Sequence, residues 1–130
     1  MADREEISDR NTVYQLHFIS AEAVIDLNKS VSKVFTGPPS DIVKYLVTDT
    51  FNGLQSKKTI QTEETSKDIK FISNFWSPVK AIHYATNLAV NKNGSPSYVF
   101  FENRDGFYFA SLDKLYTNKP YAEFKYDRYT

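Results

Sequence analysis

Apolar and polar residues alternate in three stretches of the chain, which is the period of a half-buried β-strand. The stretches are residues 12–19, residues 69–75 and a last one in which Ala122, Phe124 and Tyr126 form the apolar side. We therefore predict one strand near each end of the chain and one close to its middle.

Two short segments have both the apolar spacing and the boundary residues of helices. Ser20 is placed to cap a helix over residues 21–27. Ser77 and Pro78 form a strong start signal for a second helix, because proline has no N–H to lose at the first helical position and its φ is already helical. The apolar face of that helix consists of small residues and ends near Asn91, which indicates close packing on a sheet.

A third predicted helix lies between these two. Ser40 is its predicted N-cap, Asp41 favours the positive end of the helix dipole, and Gly53 stands where a C′ residue is expected. The apolar stripe has helical spacing and consists of Ile42, Val43, Leu46, Val47 and Thr50. Together with the predicted strands, the three helices indicate an α+β fold with a small mixed or antiparallel sheet.

Two stretches have no clear period. Val31, Val34 and Phe35 form only a short apolar patch before the breaker at residues 37–39. Residues 54–68 are almost entirely polar, so an extended threonine-rich arm and a solvated loop are equally good interpretations.

The clearest local signal is an aromatic β-hairpin over residues 97–110. Two aromatic runs flank a tetrapeptide of turn-forming residues, which are Asn103, Arg104, Asp105 and Gly106. Asx residues followed by glycine suit a type I turn with a glycine at positive φ, a common way to close a hairpin. We predict one further helical turn at residues 111–115 and a structural turn, without chemistry, at the four residues above.

The rings of this hairpin have two interpretations. A base-stacking platform needs Arg and Lys on the same face, and only Arg104 is near. A sheet core with a contact face needs nothing more, and both faces are aromatic. The favoured interpretation makes Tyr98, Phe100 and Tyr108 the candidate interface residues.

Composition narrows the function classes. Among the 130 residues, 16 Lys and Arg balance 16 Asp and Glu, so the basic excess typical of nucleic-acid binders is missing. The absence of Cys excludes disulfides, thiolate zinc sites and cysteine nucleophiles. No apolar run is long enough to cross a bilayer, and the polar residues 1–11 are expected to be a flexible N-terminal segment without a secretory signal.

No group of residues has the spacing of a reactive site. His17 and His83, the only two histidines, each lack a second ligand nearby in sequence and are interpreted as structural. No glycine-rich phosphate loop is present. Four carboxylates could in principle act as acid–base partners, namely Asp26, Asp49, Glu63 and Glu64. We interpret them as part of a solvated face. We therefore expect no enzyme activity, cofactor or metal.

Five segments in a fixed order form the most specific pattern, and the last of them, with Asp-Gly followed by Phe-x-Phe-x-Ser-Leu, is the most distinctive. The segments are YQLHFIS (14–20), VSKVFTG (31–37), SDIV (40–43), ISN with the helix start WSP (72–78) and YVFFENRDGFYFASL (98–112). Over residues 13–126 the chain thereby resembles the middle portion of baseplate hub proteins of contractile-tailed bacteriophages, the proteins that hold the central spike.

The resemblance implies a structural, non-enzymatic role between the tail tube and the spike, in a virion baseplate assembled in the host bacterial cytoplasm. It implies hub, spike and tail-tube proteins as partners, with a homotrimer as the candidate assembly. Residues 12–130 would then be one α+β domain of a larger hub architecture. Phage tails, bacteriocins and secretion systems share this hub plan, and the resemblance does not distinguish among the three. The alternative is a stand-alone module that binds a small ligand or peptide on the aromatic hairpin.

Overall fold

The computed structural model describes residues 2–8 and 10–128, with side chains for residues 10–128. Over this part of the chain it contains seven strands and four helices. In chain order they are β1 (Ala2–Ser8), β2 (Asn11–Leu16), α1 (Ala21–Leu27), β3 (Val31–Gly37), α2 (Pro39–Thr48), β4 (Ile60–Thr62), β5 (Ile69–Trp76), α3 (Pro78–Leu88), β6 (Tyr98–Asn103), β7 (Gly106–Ser111) and α4 (Leu112–Thr117). The predicted α+β class is confirmed, with α4 as a fourth helix.

The described strands form three small sheets. β1 and β2 make an antiparallel ribbon, and β3 pairs antiparallel with β5. The third sheet has the order β4-β7-β6 and is mixed, because β4 runs parallel to β7 while β6 and β7 form the antiparallel hairpin. The predicted mixed or antiparallel pairing is therefore present, but it is divided among three separate sheets.

The core lies between a helix layer and the inward faces of two sheets, β3-β5 and β4-β7-β6. α2 and α3 pack against each other, α2 also contacts β3 and β4, and α3 also contacts β5 and β6. The helices contribute their predicted apolar stripes, and the strands contribute mostly aromatic rings. The fully buried side chains include Val31, Val43, Leu46, Val47, Leu54, Ile82 and Phe109.

Two helix starts are confirmed by their capping hydrogen bonds. The Ser20 Oγ accepts from the Ala23 N–H at 3.4 Å, and the Ser77 Oγ accepts from the Lys80 N–H at 3.3 Å. α3 ends at Leu88, earlier than expected, because Ala89 already has an extended backbone.

Both predicted ends of α2 are wrong. The helix begins at Pro39 with Pro38 as its cap residue, so Ser40 lies inside the first turn, buried and 3.5 Å from the Thr65 hydroxyl. It ends at Thr48 with Asp49 as its cap residue, and Gly53 comes after the cap. A Cβ on Gly53 would lie 2.5 Å from the Leu46 carbonyl oxygen, so this glycine permits a close approach of the chain rather than a left-handed C′ conformation.

Two strands were not assigned from the sequence. In β3 only Val31 and Phe35 are buried, and the three residues between them are exposed. The strand therefore lacks a regular alternation, and its sequence resembles an isolated apolar patch. β4 is the extended arm that was one of two interpretations for residues 54–68. It is only three residues long and depends on its partner β7.

The two ends of the chain also differ from expectation. Ala2–Ser8 is a strand paired with β2, where a flexible segment over residues 1–11 was predicted. The predicted last strand at Ala122, Phe124 and Tyr126 is wrong, because residues 118–128 pair with no described strand. A strand needs a hydrogen-bonded neighbour as well as the right alternation, and this segment has none among the described residues.

The hairpin over residues 97–110 is confirmed, and its turn contains a glycine that no other residue can replace easily. The Asn103 Oδ1 accepts from the N–H groups of Asp105 at 2.9 Å and Gly106 at 3.3 Å. Gly106 has φ of +142°, and a Cβ there would lie 2.3 Å from the Thr59 carbonyl oxygen. Conformation and close contact therefore both require glycine.

We expect Gly106→Ala to lower the free energy of unfolding by about 3 kcal/mol or more, since strain at positive φ and the clash with Thr59 add together. The matched control is Gly37→Ala, because Gly37 has a similar φ of +127° and no atom within 4 Å of the added Cβ. Its expected loss is about 1–2 kcal/mol from strain alone. Equal losses in urea denaturation of the two variants would contradict the contact with Thr59.

Candidate functional site

The aromatic hairpin has two unlike faces. Its inner face carries four rings, Tyr98, Phe100, Phe107 and Phe109. Phe100 and Phe107 stack with their centroids 5.6 Å apart, whereas the rings of Tyr98 and Phe109 are tilted by 32° with their centroids 4.8 Å apart. Tyr98 is 7% exposed and its hydroxyl donates to the Glu64 carbonyl oxygen at 2.9 Å. Burial, and then the negative charge of Glu63, raises the pKa of Tyr98 to about 12.

The outer face of the hairpin carries the second ring pair. Phe101 and Tyr108 are cross-strand partners whose rings stack 5.2 Å apart and nearly parallel, at 7°. The three candidate interface residues are thus divided: Tyr98 and Phe100 lie on the inner face, whereas Tyr108 lies on the outer face. The structure does not bring them together as one surface, and Phe101 is the ring that accompanies Tyr108 outside.

A charged cluster joins α1 to the hairpin. The Lys58 ammonium donates to the Glu22 carboxylate at 2.8 Å and also to the Glu102 carboxylate, and the Ser56 hydroxyl donates to Glu22 at 2.8 Å. Burial raises the pKa of Glu22, but the hydrogen bonds from Lys58 and Ser56 outweigh it and leave the pKa below its ordinary value of 4.5. Glu102, followed by Glu22, raises the pKa of Lys58.

No pattern in the sequence indicates this cluster. Its pairs of donor and acceptor side chains are separated by 34 to 44 residues. Glu102 is part of the hairpin segment, but nothing there predicts its contact with Lys58. Lys58 stood in a polar stretch with no assigned element.

A shallow apolar groove lies beside the charged cluster. It has a volume of about 230 Å³ and is bounded by α1, α3 and the hairpin. Leu54, Val79, Phe100 and Phe107 form its walls, while His83 contributes a polar group. The groove is smaller than the 300 Å³ or more of typical ligand pockets, so it could hold one ring or one side chain.

Three of the four carboxylates interpreted as a solvated face have structural partners instead. The Asp26 Oδ1 accepts from the Val79 N–H at 2.7 Å, at the start of α3. The Asp49 Oδ2 accepts from two backbone N–H groups after α2, which lowers the pKa of Asp49. Glu63 accepts from the Ser111 N–H at 2.6 Å and from its hydroxyl at 3.1 Å. Glu64 is exposed and pairs with Lys92 at 3.2 Å.

Neither histidine joins these groups. His17 and His83 are both exposed, and the part of the chain with described side chains contains no cluster of three His, Asp or Glu placed to hold a metal ion. In the same residues, every buried side-chain nitrogen and oxygen has a hydrogen-bond partner. The polar groups of the interior are therefore used by the fold itself.

Exposed apolar side chains are concentrated in the N-terminal third and in the last ten described residues. Phe18 is 91% exposed and Leu27 79%, although both follow apolar patterns in sequence. Other members of this set are Leu16, Ile19, Val24, Val34, Ile72, Phe75, Tyr121, Phe124 and Tyr126. Apolar surface of this extent, distributed over several elements, is typical of chains with large contact areas.

No family model, curated protein or solved structure matches this chain. None of the described helices is long and apolar enough to span a membrane.

We expect Glu22→Gln to lower the free energy of unfolding at pH 7 by about 1–2 kcal/mol, because a charge-assisted pair with Lys58 becomes a neutral contact. The pKa of Glu22 is lower in the folded state, so its stabilisation is present above pH 4.5 and is lost as the pH falls through the folded pKa. The difference between variant and native chain should therefore shrink on acidification in a series of urea denaturations.

The control for this series is Glu64→Gln, because Glu64 forms only an exposed ion pair with Lys92. It should change the stability by less than about 0.5 kcal/mol. A loss of the same size in both variants at pH 7 would contradict the role of Glu22 in holding α1.

Proposed function

We propose that the chain is a structural, non-enzymatic component of a baseplate hub in a phage or phage-like contractile tail, with contacts to the tail-tube and spike proteins. The observation that carries this proposal is the ordered set of five segments that resembles the hub family. Composition agrees with it, since balanced charge and abundant aromatic residues suit permanent protein neighbours.

The location of these segments in the fold supports the proposal further. The segments at residues 31–37, 72–78 and 98–112 supply β3, the junction of β5 with α3, and the hairpin with the start of α4. They lie in both sheets that cover the core, so the resemblance extends over the body of the domain rather than one motif. The segment at residues 14–20 contains Phe18, which at 91% is the most exposed apolar side chain of the five segments.

That exposed segment is a candidate contact surface for hub neighbours. Leu16, Phe18 and Ile19 are each at least 67% exposed. Large side chains at this exposure are costly to leave in water, at about 25 cal/mol per Å² of apolar area, and a permanent partner removes the cost.

The proposal is tested on contractile-tail particles purified from the organism that encodes the chain. Gold-labelled antibody against the chain should mark the baseplate end of the particles in electron micrographs. The chain should also resist removal by washing, as an integral component does. Absence of the chain from intact particles, while it is abundant in the same lysate, would contradict the proposal.

Two matched variants, each expressed in cells that lack the native chain, test whether residues 14–20 contact the hub neighbours. Phe18→Ser should reduce the amount of chain per particle by about tenfold or more, as expected when an interface anchor is truncated. Phe51→Ser is the control, since Phe51 is similarly exposed at 83% but lies outside the segments that resemble the hub family. Equal incorporation of the two variants would exclude residues 14–20 as the contact surface.

The alternative, a stand-alone module that binds a small ligand or peptide, is favoured by one observation, which is the groove of about 230 Å³ beside Phe100. Its size fits a single aromatic ring. Under this alternative, titration with phenol or indole should shift the NMR signals of the Leu54 and Val79 methyl groups selectively. Filling the groove with Ala23→Phe should abolish the shifts, and uniform small shifts over the whole chain would contradict the alternative.

A further inference from the structure

Among the described strands, the sheet of β3 and β5 has no third strand beside β3. β5 is the one described strand that pairs with β3, so the other edge of β3 offers a row of backbone donors and acceptors. Two-stranded sheets are marginal alone, and sheets of three or more strands are the stable rule. The free edge of β3 is therefore a ready site for strand addition.

A groove lies beneath the position that such a strand would occupy. It has a volume of about 220 Å³ between β3 and α2, with Val34, Ile42 and Tyr45 among its lining residues. The Lys33 ammonium stands at its rim, 4.6 Å from the centroid of the Tyr45 ring. The same ammonium lies 6.0 Å from the centroid of the Phe35 ring. An added strand with aromatic residues on its inward side would fill the groove and bring a further ring to this cation.

The chain itself contains a segment with these properties. In residues 121–126 one side of the alternation consists of Ala122, Phe124 and Tyr126, and the other side carries Tyr121, Glu123 and Lys125. Phe124 is 95% exposed and Tyr126 88%, and the segment pairs with no described strand. In a single chain, therefore, this segment has the alternation of a strand without a sheet partner among the described strands.

We infer that residues 121–126 of one chain add as a third strand to the free edge of β3 in a second copy of the chain. Phe124 occupies the groove beside Tyr45, and Glu123 and Lys125 lie on the opposite side of the added strand. Each contact joins two different surfaces, so the copies associate either as a reciprocal pair or as a closed ring. The inference uses only these surfaces and does not rest on the baseplate role.

The solution mass of the full chain, measured by light scattering over a range of concentrations, gives the first test. The native chain should have a mass of two or more copies at high concentration. Phe124→Ser should weaken this association by about tenfold or more, as loss of a buried aromatic anchor does. Tyr116→Ser is the control, because Tyr116 is 81% exposed on α4 and lies outside the added strand. A native chain that stays a monomer throughout overturns the inference.

Cross-linking identifies the occupant of the edge, and a chain without cysteine makes this test clean. Lys125→Cys chains carrying a mass tag are mixed with untagged Thr36→Cys chains and oxidised. A mixed disulfide dimer is expected, whereas Lys125→Cys mixed with Asn87→Cys, an exposed position on α3, should give none above background. Equal yields in both mixtures overturn the inference.

The double variant Lys125→Cys with Thr36→Cys distinguishes strand addition between two copies from folding back of the segment within one chain. An internal disulfide in the monomer, without covalent dimers, would show that the segment folds back on its own β3 and would overturn exchange between copies. Neither result affects the labelling of tail particles, so failure of this inference and failure of the proposed function are distinguishable.

Discussion

The fold depends on the backbone hydrogen bonds of one connecting segment, residues 54–66. This segment follows α2 and contains β4, which pairs with β7. Its first residues bond to the end of α2, its middle to β7, and its last residue to the loop after α3. The bonds are Leu54 N to Leu46 O, Ser56 N to Val47 O, Phe107 N to Thr59 O, Glu63 N to Phe109 O and Ser66 N to Val90 O. The segment thus ties α2, β7 and the loop after α3 to one another.

Side chains of the same segment extend this role. Ser56 and Lys58 fix the carboxylate of Glu22 on α1, and Glu63 fixes Ser111 where β7 passes into α4. These are charge-assisted hydrogen bonds between residues far apart in sequence, the kind that specify one geometry. The carboxylates of Glu22 and Glu63 are thus engaged in holding elements of the fold together.

Sequence could predict the features that are encoded locally. A helix start at Ser77 and Pro78 and a hairpin turn at the Asx residues before Gly106 can each be predicted from four residues or fewer. The structure has a helix and a hairpin at these positions. The connecting segment is different, because its polar residues become a strand only against β7, which lies more than 40 residues away. Ser40 was misjudged for a related reason: its hydroxyl meets Thr65 of that segment instead of capping its own helix. The candidate interface residues lie on both faces of the hairpin for a similar reason, since alternation alone does not tell the inner face of a hairpin from the outer.

The position of β7 in its sheet has a consequence for how the chain is made. β7 is the central strand of β4-β7-β6, yet it follows both of its neighbours in sequence. Synthesis delivers the N-terminal parts first, at about 5–20 residues per second. The hairpin can close within microseconds of its release, but β4 and the connecting segment wait seconds for it. Until Ser111 has left the ribosome, the helices of the nascent chain are exposed on the side that the hairpin later covers, and this is the interval in which the chain is most open to chaperones and to aggregation.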